Sequence, residues 1–294
     1  MFISPKLQQR LKNQSPIVTK SGPATQAVIA QQQLENGRDV VLIVPDQTVL
    51  QEIWSVLEVL TNTSPEAPLW EQDWVSLPAY PPGSADRYLW AQRWAALYAM
   101  HQSTRLKKGL LLSLDNLLPF WPSPAILEQE AVQILRGEDF SPELIAEQTV
   151  VLGFERVSMV TRPGEFSWRG DILDLFPPGY PWPVRLEYFG DTVESMRSFE
   201  PVSQRSKQDQ DELILLPCTP NIRQDQRKQE AQEYWAHLWT TGVIDKPTRG
   251  HLQTSLEQGD TFIWPGLFSA HSVSLSEWLP QEARFLLLDA SQAR

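Results

Sequence analysis

The stretch RPGEFSWRGDILDLFPPGYPWPVRLEYFGDTVESMRSFEPVSQRS, residues 162–206, decides how this chain is read. Apolar and polar residues alternate along it with a period of two, and the alternation breaks at PG, PPG and FGD. A period of two sends successive side chains to opposite faces of a strand, and glycine-containing breaks are turns. The stretch therefore predicts an antiparallel sheet of hairpins. In FSWRGDILDLF, strict alternation puts Phe166, Trp168, Gly170, Ile172, Asp174 and Phe176 on one face. Ser167, Arg169, Asp171, Leu173 and Leu175 take the other, with a bulge at Gly170 able to reset the register beyond it. Arg162, Arg169, Arg185, Arg197 and Arg205 are interleaved with Phe166, Trp168, Tyr188, Phe189 and Phe199. Arginine with aromatic residues is the composition of a protein contact surface, since both bring large area and directed bonding. Burial preference assigns Phe166, Phe176 and Phe199 to the core.

Outward from this sheet the pattern changes on both sides. Towards the N-terminus, short apolar runs alternate with amphipathic ones, as in βα units around a mainly parallel sheet. SPIVT reads as a strand, and Ala24 to Glu35 as a helix closed by Asn36-Gly37. DVVLIVP, residues 39–45, is a strand buried on both faces, and Asp46 caps a helix through Val49, Ile53, Leu57 and Leu60. WVSLPAYPP holds a strand, residues 85–102 a helix, and residues 109–120 a strand running into a turn. The two prolines of WPSPA mark a boundary, followed by a helix over 125–135 and a second opened by Ser141-Pro142. Beyond the sheet, SKQDQDE, residues 206–212, reads as a solvated linker. LILLP is a strand, 225–239 a helix, TFIWP (261–265) a strand, and ARFLLLD ends the chain with a run suited to complete a parallel sheet. The expected pieces are 1–122, 123–211 and 212–294.

The chain has 294 residues, with 36 acidic and 25 basic side chains for a net charge of −11, and is stiffened by 24 prolines against 14 glycines. Its length suits two or three domains of ordinary size. The acidic balance argues against a broad nucleic-acid footprint, which needs clustered Lys and Arg. One cysteine, Cys218, excludes an internal disulfide and any multi-cysteine metal site. MFISPKLQQRLKNQ has no continuous apolar core of a signal peptide, and no run is long enough to span a bilayer, so a cytoplasmic protein is expected.

Catalytic signatures fare poorly. VTKSGPATQ, residues 18–26, has the strand, turn and helix order of a phosphate loop, whose motif GxxxxGK[ST] needs a lysine for phosphate and a hydroxyl for magnesium. Here Gly22 is followed by Pro23 and Ala24, which supply neither. LLLDASQ, residues 286–292, resembles a strand-end acidic site, but Asp289 is followed by Ala290 instead of a second acid. His101, His237, His251 and His271 are scattered, without metal-ligand spacing. No cofactor or metal is expected.

The run 162–206 closely resembles the UvrA-binding module shared by UvrB and the bacterial transcription-repair coupling factor family, Mfd. The pattern carrying it is PGEF, RGD, LDLFP, RLEYFGD and SQRS. The family sets this module between two pieces of one nucleotide-fold domain. The resemblance therefore implies an α/β fold: a degenerate P-loop NTPase-like parallel-sheet domain in two pieces, with an inserted α+β domain of antiparallel strands. Broken motifs at Gly22, Pro23, Ala24, Asp289 and Ala290 make the resemblance strongest to the N-terminal UvrB-homology region of the coupling factors. It implies UvrA as partner, contacted by Arg169, Arg185 and Phe189, the arginines donating paired bonds to carboxylates and Phe189 filling an apolar pocket. RNA polymerase and DNA would be engaged only through regions of a longer protein absent here. The alternative is a diverged UvrB-like ATPase that binds nucleotide and damaged DNA.

Overall fold

A computed structural model describes residues 9, 17–19, 21–61, 66–79, 86–102, 108–117, 120–220, 224–257, 272–280 and 282–288. The chain divides into two compact units, Met1–Pro81 with Ala95–Pro124 and Val273–Arg294, and Pro82–Trp94 with Ala125–Ser272.

The first unit is built on a five-stranded sheet of β1 (Ile17–Thr19), β2 (Val40–Val44), β3 (Trp74–Ser76), β4 (Gly109–Ser113) and β15 (Arg284–Leu288), in the order β1-β15-β2-β4-β3. All its pairings are parallel. Every residue of β2 and β4 is buried, which explains why both read as unbroken apolar runs. Two helices flank these strands. In α1 (Pro23–Glu35), proline occupies the first turn, where its missing N–H costs nothing, and Asn36 caps the end with Gly37 following at φ +76°. In α2 (Gln47–Leu60) the Asp46 carboxylate accepts from the N–H groups of Thr48 at 2.9 Å and Val49 at 3.0 Å. Ala27, Ala30, Leu34, Ile53 and Leu57 pack with Leu42, Val44, Leu111 and Leu286 into one core. A Cβ at Gly109 would collide with the Trp74 indole, so β3 and β4 approach through a glycine. The late strand β15 lies between β1 and β2, returning the end of the chain to the sheet its beginning started. A short antiparallel pair, β5 (Phe120–Trp121) with β14 (Val273–Ser274), makes the same return.

Helix α3 (Arg87–His101) is counted with the second unit up to Trp94 and with the first from Ala95. The second unit contains α4 (Pro124–Glu130) from Ala125 onward, β6 (Val132–Leu135) and α5 (Pro142–Val151), the last capped by the Ser141 hydroxyl. Its main sheet has six strands, β7 (Glu155–Arg156), β8 (Glu165–Arg169), β9 (Ile172–Leu175), β10 (Val184–Phe189), β11 (Thr192–Phe199) and β12 (Ser206–Asp209), hydrogen-bonded in sequence order. All neighbours are antiparallel except β7 and β8. Strand β13 (Glu212–Leu215) pairs with β6, and α6 (Gln224–Thr240) with α7 (Lys246–Glu257) encloses Ala231, Trp235, Leu252 and Leu256.

Four expectations change. The helix expected over 125–135 stops at Glu130, because Val132–Leu135 finds a strand partner in Glu212–Leu215. The linker expected at 206–212 is largely an edge strand, Ser206–Asp209, whose four residues are all exposed; a polar sequence suits an edge as well as it suits a linker. Through β13 and the α6/α7 pair the second unit continues past 211/212 to Ser272, and it takes in Pro82–Trp94 from before the expected start at 123. Helix α7 has no counterpart in the sequence reading. The expected strand at 261–265 lies outside the described residues.

Candidate functional site

The hairpin between β8 and β9 turns through Gly170 and Asp171, with Arg169 opposite Ile172 and Ser167 opposite Asp174. Gly170 has φ +57°, the left-handed value that a tight two-residue turn requires at its first position. A two-residue turn inverts the parity of the alternation. Phe166 therefore shares its face with Leu173 and Leu175, and Asp174 moves to the face of Ser167 and Arg169, correcting the face assignment beyond Gly170. The β10–β11 hairpin repeats the device with Gly190 at φ +62°, and Glu194 is the extra residue of a bulge opposite Glu187/Tyr188.

One face consequently carries Phe166, Leu173, Leu175, Val184, Leu186, Tyr188, Val193 and Met196, all buried. On the other lie Arg169, Ile172, Asp174, Arg185, Glu187, Phe189 and Arg197. Arg169, Arg185 and Phe189, the three residues singled out in the sequence, thus share one face. Arg185 and Phe189 stand about 13 Å apart on β10 at strand spacing. Phe166, Phe176 and Phe199 are buried, as burial preference implied.

The three are held differently. Phe189 is 79% exposed beside its turn, a large ring presented to water. Arg169 is exposed; its Nη2 donates to the Ser158 carbonyl and its Nε to Ser167 Oγ at 3.3 Å, and no carboxylate pairs with it among the described residues. Arg185 is clamped. Its Nε donates to Asp174 Oδ1 at 2.6 Å and its Nη2 to Asp174 Oδ2 at 2.8 Å and Gln204 Oε1 at 2.8 Å, while the guanidinium lies 4.7 Å over the Phe199 ring. The hydrogen bonds from Arg185 to Asp174 raise the arginine above its ordinary value against the effect of burial. The paired-bond edge expected to grip a partner is thus occupied within the fold, which leaves the Nη1 N–H groups. Asp174 and Gln204 were missed by the sequence reading although both sit inside the quoted motifs, LDLFP and SQRS. Arg197 is paired with Glu187 at 3.2 Å and Asp209 at 3.6 Å.

Gly22 precedes α1 as its N-cap, Pro23 is the first helical residue and Ala24 is exposed; the three residue types bring no cation and no hydroxyl. The nearby Ser21 hydroxyl accepts from Gln26 Nε2 at 2.7 Å. Asp289 and Ala290 lie outside the described residues. No group of His, Cys, Asp or Glu among the described residues is arranged to hold a metal, and no helix there is long and apolar enough to cross a membrane.

Residues 132–220 match the UvrB interaction domain family, a span that takes in the whole six-stranded sheet and both strands of the β6/β13 pair. The second unit is therefore organised around a domain of this kind. The chain is also similar to transcription-repair-coupling factors. With that of Haemophilus influenzae it shares 25% identity over 277 residues, 92% of this chain and 23% of that protein. With that of Myxococcus xanthus it shares 37% over 137 residues, 47% and 11% of the respective chains, and with that of Staphylococcus aureus 33% over 159 residues, 53% and 14%. The resemblance read in residues 162–206 is thereby shown, and the chain spans less than a quarter of the length of these relatives.

Proposed function

We propose that this chain is a non-enzymatic adaptor whose six-stranded sheet binds UvrA, and that within a longer protein of the coupling-factor type it recruits nucleotide excision repair to stalled transcription. The observation that carries the reading is the convergence of Arg169, Arg185 and Phe189 on one sheet face, with Phe189 left 79% exposed. An exposed aromatic sharing a face with arginines is the chemistry of a contact whose partner offers acceptor oxygens beside an apolar pocket. The first unit is read as a degenerate nucleotide fold. Its parallel sheet keeps the strand, turn and helix order of a phosphate loop, while Pro23 and Ala24 stand at the lysine and hydroxyl positions.

Calorimetric titration of UvrA into the chain tests this. Binding should be measurable, and Phe189→Ala or Arg169→Ala should weaken it by about 10-fold or more, as for other contact residues of this kind. Absent binding, or indifference to both substitutions, refutes the adaptor. Saturable binding of ATP with magnesium, lost on substitution at Gly22, would support the UvrB-like ATPase instead.

A further inference from the structure

We infer that Gln204 is a positioning residue for Arg185, an assignment that rests on the proposed UvrA-binding role of this face. Gln204 has φ +59° and is the one non-glycine in the left-handed region among the described residues. That conformation crowds a Cβ, so glycine or asparagine would ordinarily occupy it. The turn has ample support without a glutamine side chain. Gln204 N donates to Glu200 O at 2.8 Å, and Glu200 N to Arg205 O at 2.9 Å. The Glu200 carboxylate accepts from the N–H groups of Val202 at 3.1 Å and Ser203 at 2.6 Å. What glutamine adds is its amide.

The two ends of that amide have fixed assignments. Nε2 donates to Pro201 O at 2.7 Å, and since a carbonyl oxygen can only accept, the NH₂ end must face it. Oε1 is thereby turned to Arg185 Nη2 at 2.8 Å, which can only donate. With Asp174 taking Nε and Nη2 and Phe199 beneath the plane, the guanidinium cannot rotate without breaking three hydrogen bonds and a stacking contact. The remaining Nη1 N–H groups are presented as a preformed donor for a single acceptor, and the ordering of a long side chain is complete before the partner arrives. The left-handed backbone at Gln204 is a local strain that this arrangement carries.

The test is a double-mutant cycle on the full chain, with UvrA affinity read by calorimetry and folding by thermal unfolding. Gln204→Gly keeps the turn, relieves its backbone and deletes the amide. It should weaken UvrA binding about 3- to 10-fold, the range for one lost hydrogen bond. The unfolding midpoint should stay within about 2 °C, since relieved strain offsets the lost bonds. Gln204→Glu keeps an acceptor for Arg185 but sets its second oxygen against the Pro201 carbonyl, so it should recover part of the affinity lost in Gln204→Gly. In the Arg185→Ala background Gln204→Gly should have no further effect, whereas in the Arg169→Ala background its effect should persist. A chain that binds UvrA and is indifferent to Gln204→Gly, or one in which the loss persists without Arg185, overturns this inference alone. A wild-type chain that does not bind UvrA overturns the proposed function and this inference with it.

Discussion

Deleting the Asp174 carboxylate probes the pairing on which the polar face is built. The side chains of Asp174 and Arg185 keep 10% and 25% of their exposure. Breaking a buried pair by removing one partner costs about 3–5 kcal/mol, because the other charge is left desolvated and unpaired. Here Arg185 retains a quarter of its exposure, the Gln204 acceptor at 2.8 Å and the Phe199 ring at 4.7 Å. Asp174→Ala should therefore cost about 2–3 kcal/mol, below the fully buried range. At roughly 2–4 °C per kcal/mol for a unit of this size, the midpoint should fall by about 5–10 °C. Arg185→Ala strands the less exposed member and should cost more, about 3–4 kcal/mol. The double substitution should cost less than the sum of the singles by about 2 kcal/mol, since the second change removes a charge already without its partner. Urea unfolding gives the global values, and amide exchange along β9 and β10 reports the second unit alone. An Asp174→Ala loss under about 1 kcal/mol, in the range of surface pairs, or strict additivity, would show that the clamp is not a desolvated pair.

Two further outcomes follow from buried polar groups of the same unit. Burial pushes Glu165 up, but the N–H groups of Thr161 and Arg162, the Thr161 hydroxyl and the Arg162 guanidinium outweigh it and hold the carboxyl below its ordinary 4.5. A depressed carboxylate contributes stability that is complete above the ordinary value and is lost as pH falls through the folded one. Glu165→Gln should accordingly flatten the pH dependence of the unfolding midpoint below pH 4.5, and an unchanged slope would refute the assignment. The Tyr188 hydroxyl is buried without a hydrogen-bond partner among the described residues, and burial, with the Glu143 charge, keeps it protonated. Tyr188→Phe should stabilise the unit by about 1 kcal/mol, read as a higher thermal midpoint; a lower one would mean the hydroxyl is satisfied.

How much of this was legible depended on whether a residue's environment is local. The caps at Asp46 and Ser141 and the glycine after Asn36 were readable because each is satisfied within a few residues of its own position. Val132–Leu135 was not, because a four-residue, mostly apolar run extends a preceding helix or forms a strand equally well, and the choice was made about 80 positions away by Glu212–Leu215. Strand β12 failed for a related reason. Polarity marks exposure, and an edge strand is as exposed as a linker. In the site, the residue types and the face of Arg169 could be read, but the face of Asp174 turned on whether Gly170 lies in a two-residue turn or a bulge, and one residue of register reverses it. Gln204 was invisible for another reason. A left-handed glutamine has no signature in a sequence, since only the geometry of its turn shows that glycine was the easier choice.

The clamp also resolves the tension between an arginine-bearing contact face and a chain of net charge −11. Arg185 is neutralised by Asp174, and Arg197 by Glu187 and Asp209, so among the described residues of this face Arg169 alone brings a cation without a paired carboxylate. At about 0.15 M salt, charges separated by more than roughly 8 Å are largely screened. Such a face cannot draw an acidic partner from a distance, least of all against the acidic surplus of the remaining chain. If the proposed contact is made through this face, its selectivity must arise at contact, from Phe189 seated in a pocket, Arg169 supplying a charge and Arg185 a fixed donor. These terms act chiefly on how slowly a complex separates, more than on how fast it forms. The acidity of the chain is therefore compatible with a tight contact, because the arginines work through geometry and not through field.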